Sequence, residues 1–163
     1  MANYKTVNPA TGETVREFDT LDDAGVEAAL EKAHNGYLNW RKSTPTQRAQ
    51  ILTRTAELYN ERADELARMI ALEMGKPVRE AKGEVQLSAA IYQWYADQGP
   101  ALLAEERLDV PGAEESVVYR RPIGALVGVM PWNYPYYQVA RFAAPNLMLG
   151  NTVILKHASN CPQ

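Results

Sequence analysis

Ile123-Gly124-Ala125-Leu126-Val127-Gly128-Val129-Met130 runs straight into Pro131-Trp132-Asn133-Tyr134-Pro135, and Thr152-Val153-Ile154-Leu155 follows a little further on. The first run is short, apolar and uncharged, as suits a strand buried on both faces of a parallel sheet. The run 152–155 has the same character. Between them Val139, Phe142, Ala143 and Leu147 recur at helical spacing, and Gly150-Asn151 offers the left-handed stop that ends such a helix. Strand, helix and strand in this order, with a crossover of about a dozen residues or more, is the pattern of a right-handed parallel unit. The fold class read from this stretch is α/β.

The turn after the first run carries the chemistry. Pro131 and Pro135 fix φ on either side of Trp132 and Asn133, so the Asn133 amide is presented by a stiff turn. A preset N–H donor is what a developing oxyanion needs. Its position just past a strand's carboxyl end is where ligands collect in open α/β sheets, and Lys156 ends the second strand on the same edge. Each residue also has a purely structural reading. Asn133 can close a turn through its own backbone, and Lys156 can be a surface lysine.

Upstream, the chain reads as a helical scaffold. Thr20-Leu21-Asp22-Asp23 resembles a capping start, with Val26, Ala29, Leu30, Ala33 and Tyr37 on one face of the helix it opens. Pro45 and Thr46 open the next helix, whose apolar stripe is Ile51, Leu52, Thr55, Leu58 and Tyr59. After a polar interval, Leu66, Met69, Ile70 and Leu72 form another stripe, which Gly75 and Pro77 stop. From Val78 a longer helix turns Ala81, Val85, Ser88, Ile91, Tyr92 and Tyr95 inward until Gly99-Pro100 interrupts or kinks it. Leu108-Asp109-Val110, the turn Pro111-Gly112, and Ser116-Val117-Val118-Tyr119-Arg120 predict a β-hairpin, which needs a partner surface to be stable.

The 163 residues carry 17 Lys plus Arg against 20 Asp plus Glu, a net charge of -3, so no basic surface points to nucleic acid. One cysteine precludes an internal disulfide. There is no signal segment and no apolar run long enough to span a bilayer, so membrane is not an expected partner and a cytoplasmic location is expected. No His, Cys and carboxylate cluster has metal-ligand spacing. Cys161, without a base near it in sequence, reads as a small buried or loop thiol.

Several strings in this chain together resemble the N-terminal part of an NAD(P)-dependent aldehyde dehydrogenase. They are Asn8-Pro9-Ala10-Thr11-Gly12-Glu13, Glu73-Met74-Gly75-Lys76-Pro77, Glu80-Ala81-Lys82-Gly83-Glu84, Pro131-Trp132-Asn133-Tyr134-Pro135 and Gly150-Asn151-Thr152-Val153-Ile154-Leu155-Lys156. They stand in family order over nearly the whole chain. The string Lys156-His157-Ala158-Ser159-Asn160 is most similar to bacterial succinate-semialdehyde dehydrogenases. The resemblance implies an incomplete aldehyde dehydrogenase fold, a helical N-terminal region packed on the start of a Rossmann-like parallel sheet. Residues 1–105 and 122–163 would be a partial cofactor-binding domain and residues 106–121 a hairpin arm that joins subunits into a dimer or tetramer. The family's nucleophilic cysteine, its base and its glycine-rich phosphate turn are not found here, so the catalytic domain is expected to be absent and the segment alone inactive.

The resemblance also implies roles. Asn133 would donate to the oxyanion of the thiohemiacetal formed from an aldehyde. Val129, Met130, Pro131 and Trp132 would line the nicotinamide side of the cofactor, and Lys156 would bond the adenosine ribose or a phosphate there. Where the family often has a glutamate that repels a 2'-phosphate, this chain has Ser159, so NADP is expected alongside NAD. Arg141, with Tyr137 nearby, would hold the far carboxylate of succinic semialdehyde. Two other readings remain: a general aliphatic aldehyde dehydrogenase in which Arg141 points away, and a non-catalytic truncated product or oligomerisation module.

Overall fold

The computed structural model describes residues 4–163. The chain opens with an antiparallel hairpin of β1 (Tyr4–Val7) and β2 (Thr14–Phe18). Its turn is built by the Asn-Pro-Ala-Thr-Gly-Glu string. Asn8 Oδ1 accepts from Ala10 N at 3.0 Å, Asn8 O accepts from Gly12 N at 2.8 Å, and Gly12 takes the left-handed φ of 76° that glycine adopts without strain. The string carried the family resemblance in sequence; the two strands flanking it were not anticipated.

Four helices follow. Asp22 caps α1 (Asp23–Trp40) by accepting from Gly25 N at 2.8 Å. Thr44 and Gln47 form a capping box at the start of α2 (Pro45–Glu61), with Pro45 in the first turn, where its missing N–H costs nothing. The short α3 (Ala63–Met74) stops at Gly75, at φ 76°. The long α4 (Val78–Leu102) runs through Gly99-Pro100, one turn past the expected break. The helix survives there because Leu103 N still reaches Gly99 O at 3.0 Å, so proline removes a bond only in the last turn. Buried Gly99 is a glycine for a separate reason: a Cβ there would meet Met148 Sδ at 2.7 Å.

Two short strands, β3 (Glu106–Arg107) and β4 (Val117–Val118), pair antiparallel, and Val110 to Ala113 make the turn around Gly112. The expected hairpin is present, but its first strand lies at 106–107, ahead of Leu108-Asp109-Val110. Next come β5 (Ala125–Val129), α5 (Pro135–Leu149) and β6 (Thr152–Lys156). The two strands are parallel and in register from Ala125 opposite Thr152 to Val129 opposite Lys156. Gly150 ends α5 at φ 107°.

The core lies between helices. Leu52 and Ala56 of α2, Tyr92 and Ala96 of α4, and Ala143 and Met148 of α5 form its main cluster, with small residues letting the helices approach. A second cluster joins Leu66 and Ile70 of α3 to Ala81 and Val85 of α4. Full burial of a side chain such as Leu52 or Ile70 contributes about 1.5–3 kcal/mol. On α2 the expected stripe is rotated. Ile51 and Leu58 are exposed, and the buried positions are Arg48, Leu52 and Ala56. On α1 only Tyr37 is buried, while Val26 and Leu30 border an open apolar groove that also exposes Val127. Strand β5 is therefore covered on one face and not on both. Gly128 lies against the Phe142 ring of α5, whereas on the other face α1 is tied to Thr152 of β6 and Val127 and Val129 are exposed.

Candidate active site

The turn joining β5 to α5 is tethered at several backbone atoms. Met130 N donates to Lys156 O at 2.9 Å, extending the parallel ladder and bringing the two strand ends side by side. The Cys161 thiol points at Trp132 O, 3.8 Å away. Lys76 Nζ donates to Asn133 O at 2.9 Å and lies 3.7 Å from the centre of the Tyr134 ring. The same Lys76 pairs with the Glu84 carboxylate. Glu84 Oε1 in turn accepts from Tyr136 N at 3.0 Å and Tyr137 N at 3.3 Å, the first free amides of α5. No side chain of the turn itself caps α5; a carboxylate from α4 does so.

The far end of α5 is held in the complementary way. Arg48 of α2 donates to Leu149 O at 3.0 Å and Trp40 of α1 donates to Leu147 O at 2.9 Å. An anion at the amino end and a cation at the carboxyl end both suit the helix dipole. The glycine at 150 is required twice over, since its φ is left-handed and a Cβ there would collide with the Arg48 guanidinium. Next to it, buried Asn151 accepts from Ile123 N at 2.7 Å and Gly124 N at 3.1 Å, which fixes the entry to β5.

Asn133 itself is exposed, and its side-chain amide makes no hydrogen bond to another described residue. Val129, Met130, Pro131 and Arg141 surround an open depression of about 380 Å³ at the strand ends. Arg141 is exposed, forms no ion pair among the described residues, and has its guanidinium 5.7 Å from the Tyr137 ring centre. Tyr137 meets Tyr134 edge-on at 5.9 Å, so an unbroken line of cation, rings and cation runs from Lys76 to Arg141 past Asn133. Lys156 and Ser159 lie outside this depression. Lys156 is exposed, with Nζ 5.2 Å from the Tyr4 ring, and Ser159 is exposed in a turn closed by Cys161 N to Ala158 O at 3.2 Å.

Cys161 is only 7% exposed, and burial, reinforced by the negative charges of Glu73 and Glu84, pushes its thiol up to about 12. It is a neutral packing group at ordinary pH. Among the described residues no group of three or more His, Cys, Asp and Glu side chains could hold a metal ion, and no helix is long and apolar enough to cross a membrane.

The aldehyde dehydrogenase family model matches residues 2–163. This chain belongs to the aldehyde dehydrogenase family. It is 53% identical over 160 residues to the NADP(+) succinate-semialdehyde dehydrogenase of Deinococcus radiodurans, covering 98% of this chain and 33% of that protein. To the Mycobacterium avium enzyme of the same description it is 48% identical over 161 residues, covering 97% and 34%. Among solved structures, succinic semialdehyde dehydrogenase from Streptococcus pyogenes in complex with NADP+ superposes with a TM-score of 0.93 at 38% identity, over 98% of this chain and 35% of that one. The chain thus spans about a third of the length of the curated relatives it matches, and its architecture is a partial aldehyde dehydrogenase fold.

Within that family fold, Lys76 and Glu84 are the residues whose part at the turn sequence reasoning missed. Both stood inside strings that carried the resemblance. Their role depends on contacts to residues 57 and 52 positions away, which no local pattern signals.

Proposed function

We propose that this segment supplies the oxyanion-stabilising amide and the cofactor-facing strand edge of an NAD(P)-dependent succinate-semialdehyde dehydrogenase. The observation that carries this reading is the exposed Asn133 amide, without a hydrogen-bond partner among the described residues, held on a turn tethered on both sides at the carboxyl ends of two parallel strands. In the complete enzyme an aldehyde carbon is attacked by a cysteine thiolate from outside this segment, and negative charge grows on the former carbonyl oxygen. Asn133 donates to that oxygen. The nicotinamide dinucleotide, when bound, would accept the hydride, and water would then cleave the thioester left on the cysteine, releasing the acid and returning the thiol. This segment lacks the nucleophile and on its own is inactive.

Residues 1–105 and 122–163 act as part of the cofactor-binding domain in this proposal. The exposed Val129 and Trp132, with Met130 and Pro131 between them, offer an apolar surface suited to the nicotinamide side. Lys156, exposed and without a carboxylate partner among the described residues, is suited to ribose hydroxyls or a phosphate. Ser159 places no negative charge against a 2'-phosphate, so NADP is used as well as NAD; a complete enzyme inert with saturating NADP would remove this point. Residues 106–121 form the oligomerisation arm of a cytoplasmic homo-oligomer. The two-residue β3–β4 ladder is too short to stand alone, and a monomeric complete protein in sedimentation at micromolar concentration would contradict the assignment.

Succinic semialdehyde is the preferred aldehyde because Arg141 is exposed, and without an ion-pair partner among the described residues, beside the depression that Val129, Met130 and Pro131 form. A guanidinium there matches a distal carboxylate bidentately, with Tyr137 behind it. The deciding experiment is Asn133→Ala in the complete enzyme. Loss of one oxyanion donor lowers kcat by about a hundred- to a thousandfold with cofactor affinity little changed. A normal kcat would defeat the reading.

A further inference from the structure

We infer that Lys76 and Glu84 are positioning residues for Asn133, an inference that rests on the oxyanion-donor reading of that amide. The two charges are inside the molecule: the Glu84 side chain is 1% exposed and that of Lys76 10%. Neither borders the depression at the strand ends, so they do not meet a ligand there. Their hydrogen bonds go to the turn. Glu84 spends one carboxylate oxygen on Tyr136 N and Tyr137 N and the other on Lys76, and Lys76 completes its set with Asn133 O and the Tyr134 ring.

The consequence falls on the Asn133 backbone. Its carbonyl belongs to the peptide plane that follows Cα, and Lys76 holds that plane; the preceding plane is held where Cys161 meets Trp132 O. With both planes restrained, φ and ψ of Asn133 are restrained, and the rotamers open to a side chain depend on those two angles. The ion pair thereby selects the direction in which the exposed amide points without touching it. Glu84 locks the same turn from its other side by tying down the start of α5. A misplacement of about 1 Å at a catalytic group can cost on the order of a hundredfold in rate. A pair that sets this direction therefore controls turnover.

The test is a double-mutant cycle in the complete enzyme, with kcat for the aldehyde and the cofactor Kd both measured. The paired exchange K76M/E84Q removes both charges together, so that no buried charge is left unpartnered. We expect it to lower kcat by about tenfold or more with Kd for the cofactor unchanged, and to have less than about a twofold effect when Asn133→Ala is already present. A merely structural pair would lower kcat by the same factor in both backgrounds, and that result overturns the inference while leaving the role of Asn133 intact. A normal kcat for Asn133→Ala alone overturns both. Where the paired exchange lowers soluble yield, Lys76→Arg is read in the same cycle; it keeps the cation and alters only its geometry, and an equal loss in both backgrounds again rules the inference out.

Discussion

Arg48 Nη1 lies 3.0 Å from Leu149 O, which sets a buried guanidinium against the last turn of α5 from a helix about a hundred residues earlier in the chain. Burial lowers the readiness of Arg48 to carry its charge, and its Nε has no partner among the described residues, so the helix carbonyl is what justifies an arginine there.

Arg48→Met is therefore expected to destabilise the protein by about 1.5–3 kcal/mol, the usual worth of a hydrogen bond to a charged group. Methionine fills much of the space but leaves the Leu149 carbonyl unanswered. Urea denaturation midpoints compare the two proteins, and an unchanged midpoint would show that water replaces Arg48 without cost.

The second expectation concerns alkaline pH. Cys161 has its pKa raised from 9.0 to about 12, and Tyr92 and Tyr136 are raised from 10.0 to about 12, all chiefly by burial. A raised folded-state value means that folding favours the protonated group. Its contribution is complete below the unfolded pKa and lost as pH climbs through the folded one. Melting temperature should thus be level to about pH 9 and fall between pH 9 and 12. Cys161 should also resist a thiol reagent at pH 8 until urea is added; rapid labelling of the native protein would show that the thiol is not sequestered.

A third expectation separates an acid-bearing substrate from a plain one. Arg141→Leu in the complete enzyme removes a guanidinium that can bind a carboxylate bidentately. The Michaelis constant for succinic semialdehyde should rise roughly ten- to a hundredfold. That for an uncharged aldehyde of similar length should hardly move. Equal changes for both would place Arg141 away from the substrate and favour the general aliphatic reading.

The β5–α5–β6 unit was legible because each of its parts is locally encoded. Apolar runs mark the strands, Pro135 suits the first turn of α5, and Gly150 is needed where φ is positive. The α2 stripe was misread for the opposite reason. Periodicity rewards apolar residues, so Ile51 and Leu58 outweighed Arg48, yet only the distant end of α5 explains why a cation is buried on that face. Glu84 was hidden in the same way. A carboxylate on a helix ordinarily faces water, and nothing near it in sequence shows that it will close another helix.

With 15 residues at about 1.5 Å each, α5 is a rod roughly 22 Å long, pinned by Arg48 at one end and Glu84 at the other. Such a rod is a lever. A tilt of about 3° about the Arg48 end would carry the Asn133 end through about 1 Å, a displacement on the scale at which catalytic geometry is lost. Side chains of α2 that never approach the strand ends can therefore retune what happens there.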